Sequence, residues 1–164
     1  MGIDPGQAGG ITVLSDTFDV LESVPMPATM QDLWELISKY RGDCVAWLEK
    51  VGAMPGQGVA STFKFGEGYG QLQMALTAAG IPFFDVTPQK WQKAMWISDD
   101  MVFTVRKDKH GEDKRQVAPK PTSINAATRL FPTTDLRKSD RARNPHDGKC
   151  DALLIALYAK RMNL

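Results

Sequence analysis

The sequence predicts an α/β fold in which a mixed β-sheet carries helices on both faces. Three observations lead there. Two strand-like runs separated by a short turn open the chain. A short apolar run, Cys44–Glu49, ends on a charge, as a buried strand does. After residue 28, helical and strand-like patterns alternate.

Each element follows from local chemistry. A very short strand ends at Asp4, so either this strand is unusually brief or the sequence begins downstream of its natural start. Gly10–Ser15 and Phe18–Val24 are rich in β-branched and aromatic residues and read as strands, with Asp16 and Thr17 turning between them. Thr29 caps a helix to about Tyr40, whose apolar face is Leu33, Trp34, Leu36 and Ile37, and Gly42 stops it. Gly52–Gly66 is glycine-rich and reads as a loop. A helix from about Gly68 to Ala79, a strand at Ile81–Val86 and a short helix from Pro88 carrying Trp91 and Trp96 follow. Residues 99–120 read either as a hairpin, pairing Met101–Arg106 with Lys114–Val117 across Lys109-His110-Gly111, or as a flexible insertion. Pro121 or Thr122 opens a helix to about Phe131. Residues 132–146 are polar, and a last helix runs from about Gly148 to Met162.

Composition narrows the function. Hydrophobic residues at 43% and charged residues at 24% suit a soluble globular protein, and 164 residues suit one domain. No apolar run approaches the roughly 20 residues that cross a bilayer, and the start lacks the pattern of a signal peptide. The expectation is a soluble intracellular protein, in the cytoplasm or nucleoid, without a membrane partner. Cys44 and Cys150 fit no metal or redox spacing and read as reduced thiols. Net charge is only +1, yet residues 106–149 hold twelve Lys/Arg against six Asp/Glu. Such a segment can grip phosphates, or it can be a solvated loop.

Three carboxylates stand out. Asp4 ends a strand and precedes Pro5-Gly6-Gln7-Ala8-Gly9-Gly10, where a backbone or a phosphate can approach closely; alternatively it starts a turn. Glu49 closes the apolar run Val45-Ala46-Trp47-Leu48, a costly place for a charge unless it is paired, metal-bound or already at solvent. Asp151 opens an otherwise apolar helix, and Asp147 lies one turn earlier, as a metal ligand or as the helix cap. Oxygen-only ligands suit Mg²⁺ or Mn²⁺, and two such ions about 3.5–4 Å apart support phosphodiester hydrolysis. With two histidines, His110 and His146, both in loops, neither a zinc cluster nor a Ser–His–Asp arrangement is evident.

Further residues are candidates for DNA contact. Phe63 and Phe65 flank Lys64 just after Glu49; they either stack on unpaired bases or anchor their segment on the core. Arg137, Lys138, Arg141, Arg143 and Lys149 precede or begin the last helix and are candidate phosphate contacts.

Taken in order, Gly2-Ile3-Asp4-Pro5-Gly6, Leu48-Glu49 and Asp151-Ala152-Leu153-Leu154-Ile155-Ala156 resemble the RuvC family of Holliday-junction resolvases. Phe65-Gly66-Glu67-Gly68-Tyr69-Gly70-Gln71-Leu72, with Ser123 to Phe131-Pro132, is similar to phage RuvC-like proteins and the chloroplast resolvase of plants. The resemblance covers nearly the whole chain. It implies a ribonuclease H-like fold with a mixed five-stranded sheet, as a single nuclease domain over residues 1–164. It also implies a Mg²⁺-dependent homodimer with two ions per site that nicks opposing strands of a four-way DNA junction, in recombination and repair. By the resemblance, Asp4, Glu49 and Asp151 fall on the family's metal ligands. Asp147 falls where the chloroplast-like branch has a histidine, whereas bacterial RuvC has its further ligand at the position of Gly148 here. Lys120 matches a basic position of the chloroplast-like branch and is a candidate phosphate contact. The alternatives are another ribonuclease H-like nuclease, acting on branched DNA or RNA–DNA hybrids, and a junction-binding protein with weak catalysis.

Overall fold

A computed structural model describes residues 1–52 and 58–162 of the chain. A five-stranded sheet forms its centre, in the order β3-β2-β1-β4-β5. The strands are β1 (Gly2–Asp4), β2 (Gly10–Leu14), β3 (Val20–Pro25), β4 (Ala46–Glu49) and β5 (Phe83–Val86). The β3-β2-β1 half is antiparallel, and β1, β4 and β5 run parallel. This is the mixed sheet expected.

Three residues suffice for β1 because it is central. It pairs on both edges, and Ile3 is fully buried between Ile11 and Leu48. Thr29 caps α1 (Met30–Ser38) through its hydroxyl, which accepts from the Asp32 amide at 3.1 Å. α1 and α2 (Val59–Ala78) bury Leu33, Leu36, Ile37, Leu72 and Leu76 on one face of the sheet. α3 (Pro88–Met95), α4 (Pro119–Leu130) and α5 (Asp147–Arg161) bury Trp91, Met95, Ala126, Ala127, Leu153, Leu154 and Leu157 on the other. Burying a side chain of Leu size contributes about 1.5–3 kcal/mol, so α5, with ten buried residues, is the main element of that core. Among the described residues, no helix is long and apolar enough to cross a membrane.

Within residues 99–120 a hairpin forms, and Pro119 and Lys120 already belong to α4. β6 (Phe103–Lys107) pairs antiparallel with β7 (Asp113–Val117) as a two-stranded sheet separate from the central one. At its base, Asp100 is buried and accepts from Arg129 Nε and Nη2 at 2.9 and 2.7 Å.

Three expectations need correction. The second strand begins at Val20 rather than Phe18, which sits at φ +70° inside the turn. Gly52–Gly66 is not a loop throughout, because α2 already begins at Val59; its segment 53–57 lies outside the described residues. Gly66, Gly68 and Gly70 each cost a helix about 1 kcal/mol. Even so the helix forms, because its later turns bury Leu72 and Leu76 in the core. Finally, Asp147 does not cap α5. His146 does, its Nδ1 accepting from the Lys149 amide at 3.3 Å.

Candidate active site

Strand register brings the first two carboxylates together. Ile3 lies opposite Leu48 in the parallel β1–β4 pair, so the next residues, Asp4 and Glu49, end neighbouring strands at one level. Side chains alternate along a strand. Ile3 and Leu48 enter the α1–α2 core, so Asp4 and Glu49 face the side that α5 covers.

Two glycines let α5 come close enough. A Cβ on Gly148 would sit 2.2 Å from the Ala8 carbonyl and 2.5 Å from Gly9. A Cβ on Gly2 would sit 2.2 Å from the Ala152 carbonyl. The first turn of α5 therefore rests directly on the backbone beside β1. Asp147 and Asp151, one turn apart on that helix, are delivered to Asp4 and Glu49. Gly148 has no room for a side chain, so it supplies no further ligand here.

The electrostatics record this crowding. Burial pushes the Asp4 carboxyl up to about 9, and the charges of Asp151, Glu49 and Asp147 push in the same direction. Burial likewise raises Asp151 to about 7, with the Ser123 hydroxyl opposing and Glu49 and Asp147 adding. Ser123 lies near Asp151, yet neither its Oγ nor Asp151 Oδ1 has a hydrogen-bond partner of good geometry, although both atoms are buried. Glu49 is raised by burial too, against the Trp91 indole, whose Nε1 donates to Oε1 at 2.8 Å. Asp147 departs from the pattern. Burial would raise it, but Lys120 Nζ at 2.5 Å holds it below the usual carboxylate range. Among the described residues, Lys120 is the one cation ion-paired to this group.

An open groove of about 560 Å³ leads away from Glu49, lined by Lys50, Val51, Gly52, Phe65, Thr87, Pro88 and Gln89. Phe65 reaches back over the turn after Asp4, where its Cε2 would lie 3.3 Å from a Cβ on Gly6. Phe63 and Phe65 are two residues apart on a helix and so point about 200° apart. Phe63 is 72% exposed and points elsewhere. Lys64 is exposed as well.

The basic residues before α5 divide. Lys149 is buried, and its ammonium donates to the carbonyls of Asp135 and Arg137 at 3.0 and 2.9 Å. It holds the preceding loop together and is turned away from solvent, against the expectation of a phosphate contact. Arg137 is engaged by Asp135 through two bonds of 2.9 and 2.7 Å. Lys138, Arg141 and Arg143 are exposed, and among the described residues no ion pair holds any of the three. Trp91 was not foreseen in the site. In the sequence it is one apolar residue of a short helix, and only the packing of α3 brings its N–H to Glu49.

The fold is ribonuclease H-like, with a mixed five-stranded sheet between two helical layers and acidic residues at the ends of β1 and β4. No family model and no curated protein matches the sequence. Solved structures do. RuvC of Thermus thermophilus in complex with a Holliday junction substrate superposes with a TM-score of 0.56 at 18% identity, covering 98% of this chain and 94% of that one. A second structure of the same RuvC gives 0.55 at 18%, covering 99% and 95%. The likeness runs the length of both chains and shows a shared fold.

Proposed function

We propose that this chain is a divalent-metal-dependent endonuclease of a single domain that resolves four-way DNA junctions, with Asp4, Glu49, Asp147 and Asp151 at its active centre. One observation carries the reading. Asp4, Glu49 and Asp151 are gathered from two strand ends and a helix start into one half-buried group, with their protonated forms favoured. Carboxylates crowded in this way are costly as anions and are relieved by protonation or by a bound cation. The RuvC fold around the group supports a junction substrate, since one of the similar structures holds a Holliday junction.

The donor set fits a hard cation. All four groups offer oxygen, and Asp151 Oδ1 is buried without a partner. Among the described residues no three of these side chains stand close enough together to hold an ion as they are. Bound Mg²⁺ or Mn²⁺, as two ions per site, would supply charge stabilisation and an activated water for phosphodiester cleavage. The chain's own residues do the rest. Trp91 fixes the orientation of Glu49, and Lys120 offsets the charge of Asp147 from an exposed position open to a phosphate. Phe65 forms the wall of the groove beside Glu49, where an unpaired base can stack. Lys64, Phe63, Lys138, Arg141 and Arg143 are further DNA contacts in this reading, on exposed surface. Nicking two opposing strands needs two sites, hence a homodimer.

The test is incubation with a labelled four-way junction, an RNA–DNA hybrid and a linear duplex, with and without Mg²⁺. Symmetric paired nicks in the junction alone, and only with Mg²⁺, are expected. Cleavage confined to the hybrid would replace this reading with a hybrid-cutting nuclease. Binding without cleavage under all metals would make the protein a junction-binding module.

A further inference from the structure

The β6–β7 hairpin has two unlike faces. Residues directly opposite in an antiparallel pair share a face. Thr104 opposite Gln116 and Arg106 opposite Lys114 therefore line one side. Phe103 opposite Val117, Val105 opposite Arg115 and Lys107 opposite Asp113 line the other. The second face compensates itself. Arg115 stacks its guanidinium 3.9 Å from the centre of the Phe103 ring, and Lys107 faces an acid.

The first face does not. Arg106 and Lys114 are like charges set directly across from one another, an arrangement that destabilises a strand pair. Both are exposed, and among the described residues neither has an ion pair or side-chain hydrogen bond. The nearby acid Asp108 is turned into the hairpin tip, accepting the amides of His110 and Glu112 at 2.8 and 3.1 Å. Thr104 and Gln116 add neutral donors, and the paired rungs of this face carry no carboxylate, Asp108 and Glu112 lying beyond them at the tip. Four donor side chains on rungs without an acid make a surface for an anion.

Its position selects the anion. The hairpin base is fastened to α4 by the Ala118 amide on the Val102 carbonyl at 2.7 Å and the Val102 amide on Thr122 Oγ1 at 3.0 Å. Lys120, three residues past the end of β7, is paired to Asp147 in the carboxylate site. Arg106 and Lys114 lie three residues up the hairpin from its Phe103–Val117 base, about 10 Å at the rise of a strand.

We infer that the face formed by Thr104, Arg106, Lys114 and Gln116 is an arm that grips the phosphate backbone of the duplex leading away from the cleaved position. The inference rests on the nuclease reading of the carboxylate site. Arg supplies a planar fork to phosphate oxygens and Lys a point charge, so the arm holds the duplex in place without reading its bases.

Binding of labelled four-way junction and linear duplex to the full chain, followed without divalent metal across a salt series, tests it. Each phosphate contact contributes about 0.9 to the slope of log affinity against log salt, so Arg106→Ala with Lys114→Ala is expected to flatten the slope by about 1.8 on both DNAs. Lys107→Ala removes a charge from the opposite face and leaves the slope unchanged. Arg106→Lys with Lys114→Arg retains it. A wild-type slope in the double alanine variant, with an unaltered near-ultraviolet circular dichroism spectrum, overturns the arm, as does an equal loss in Lys107→Ala. Wild-type protein that binds with the expected slopes but cuts no DNA with Mg²⁺ overturns the nuclease reading and leaves the arm standing. Wild-type protein that binds neither DNA overturns both.

Discussion

The indole Nε1 of Trp91 donates to Oε1 of Glu49 at 2.8 Å, joining α3 to the end of β4. Trp91 is fully buried, so the bond is held by the core rather than by the groove. Partners of this kind orient a ligating carboxylate, and their loss typically costs about 10–100-fold in metal affinity or activity. Trp91→Phe keeps most of the buried ring but removes the donor. Titration of cleavage against Mg²⁺ is expected to show the half-saturating concentration raised at least about 10-fold, with junction affinity unchanged.

Asp4 makes the metal-free protein sensitive to pH. Its carboxyl is raised to about 9 in the folded state by burial and by its acidic neighbours, from an ordinary value of 3.8. A group raised on folding contributes stability that is fully present below the unfolded value and is lost as pH rises through the folded one. Thermal melting with a chelator is therefore expected to show Tm falling between about pH 4 and pH 9. Asp4→Asn is expected to raise Tm by a few degrees at pH 8 while abolishing cleavage. Mg²⁺ should raise the wild-type Tm at that pH and leave the variant nearly unchanged.

Gly148 is where the α5 backbone touches the turn between β1 and β2. In Gly148→Ala the new methyl meets the adjoining backbone of Ala8 and Gly9, at 2.2 and 2.5 Å, and no movable side chain. Separating helix and turn is expected to cost about 1–3 kcal/mol in urea denaturation. The same displacement withdraws Asp147 and Asp151 from Asp4, so cleavage should fall far more than the stability loss explains, at temperatures where the variant is folded.

Arg129 holds a buried acid at the hairpin base. Asp100 is 2% exposed and accepts two bonds from Arg129 and one from the Ile97 amide. Arg129→Met leaves that carboxylate without its cation, a loss of about 3 kcal/mol given that Arg129 is partly exposed. Arg129 holds Asp100 below its ordinary value, so this stabilisation is present above the unfolded value near 3.8 and is lost as pH falls through the folded one. Denaturation curves of variant and wild type are expected to differ most near neutral pH and to converge in acid.

Much of this protein was legible residue by residue. Thr29 caps its helix and Cys44–Glu49 contains a buried strand, because caps and burial follow from short-range chemistry, whereas residues 99–120 read equally as hairpin or loop until the structure paired them. The acidic residues at apolar edges, Asp4, Glu49 and Asp151, were legible for the same reason: a charge beside a core needs an explanation. The tertiary structure alone decided what each faces. Helical geometry in α2 sends Phe65 to the groove and Phe63 outward, where a loop would have left both free to stack. Lys149 and Lys138 look alike in sequence, yet two loop carbonyls capture one ammonium and leave the other in solvent. Asp4 and Glu49 are 45 residues apart, and their meeting depends on strand register and on the contact of Gly148 with the backbone after β1. By itself the sequence determined which residues carry charge at the margin of a core. Long-range packing, which no local pattern encodes, determined which of those charges share a site.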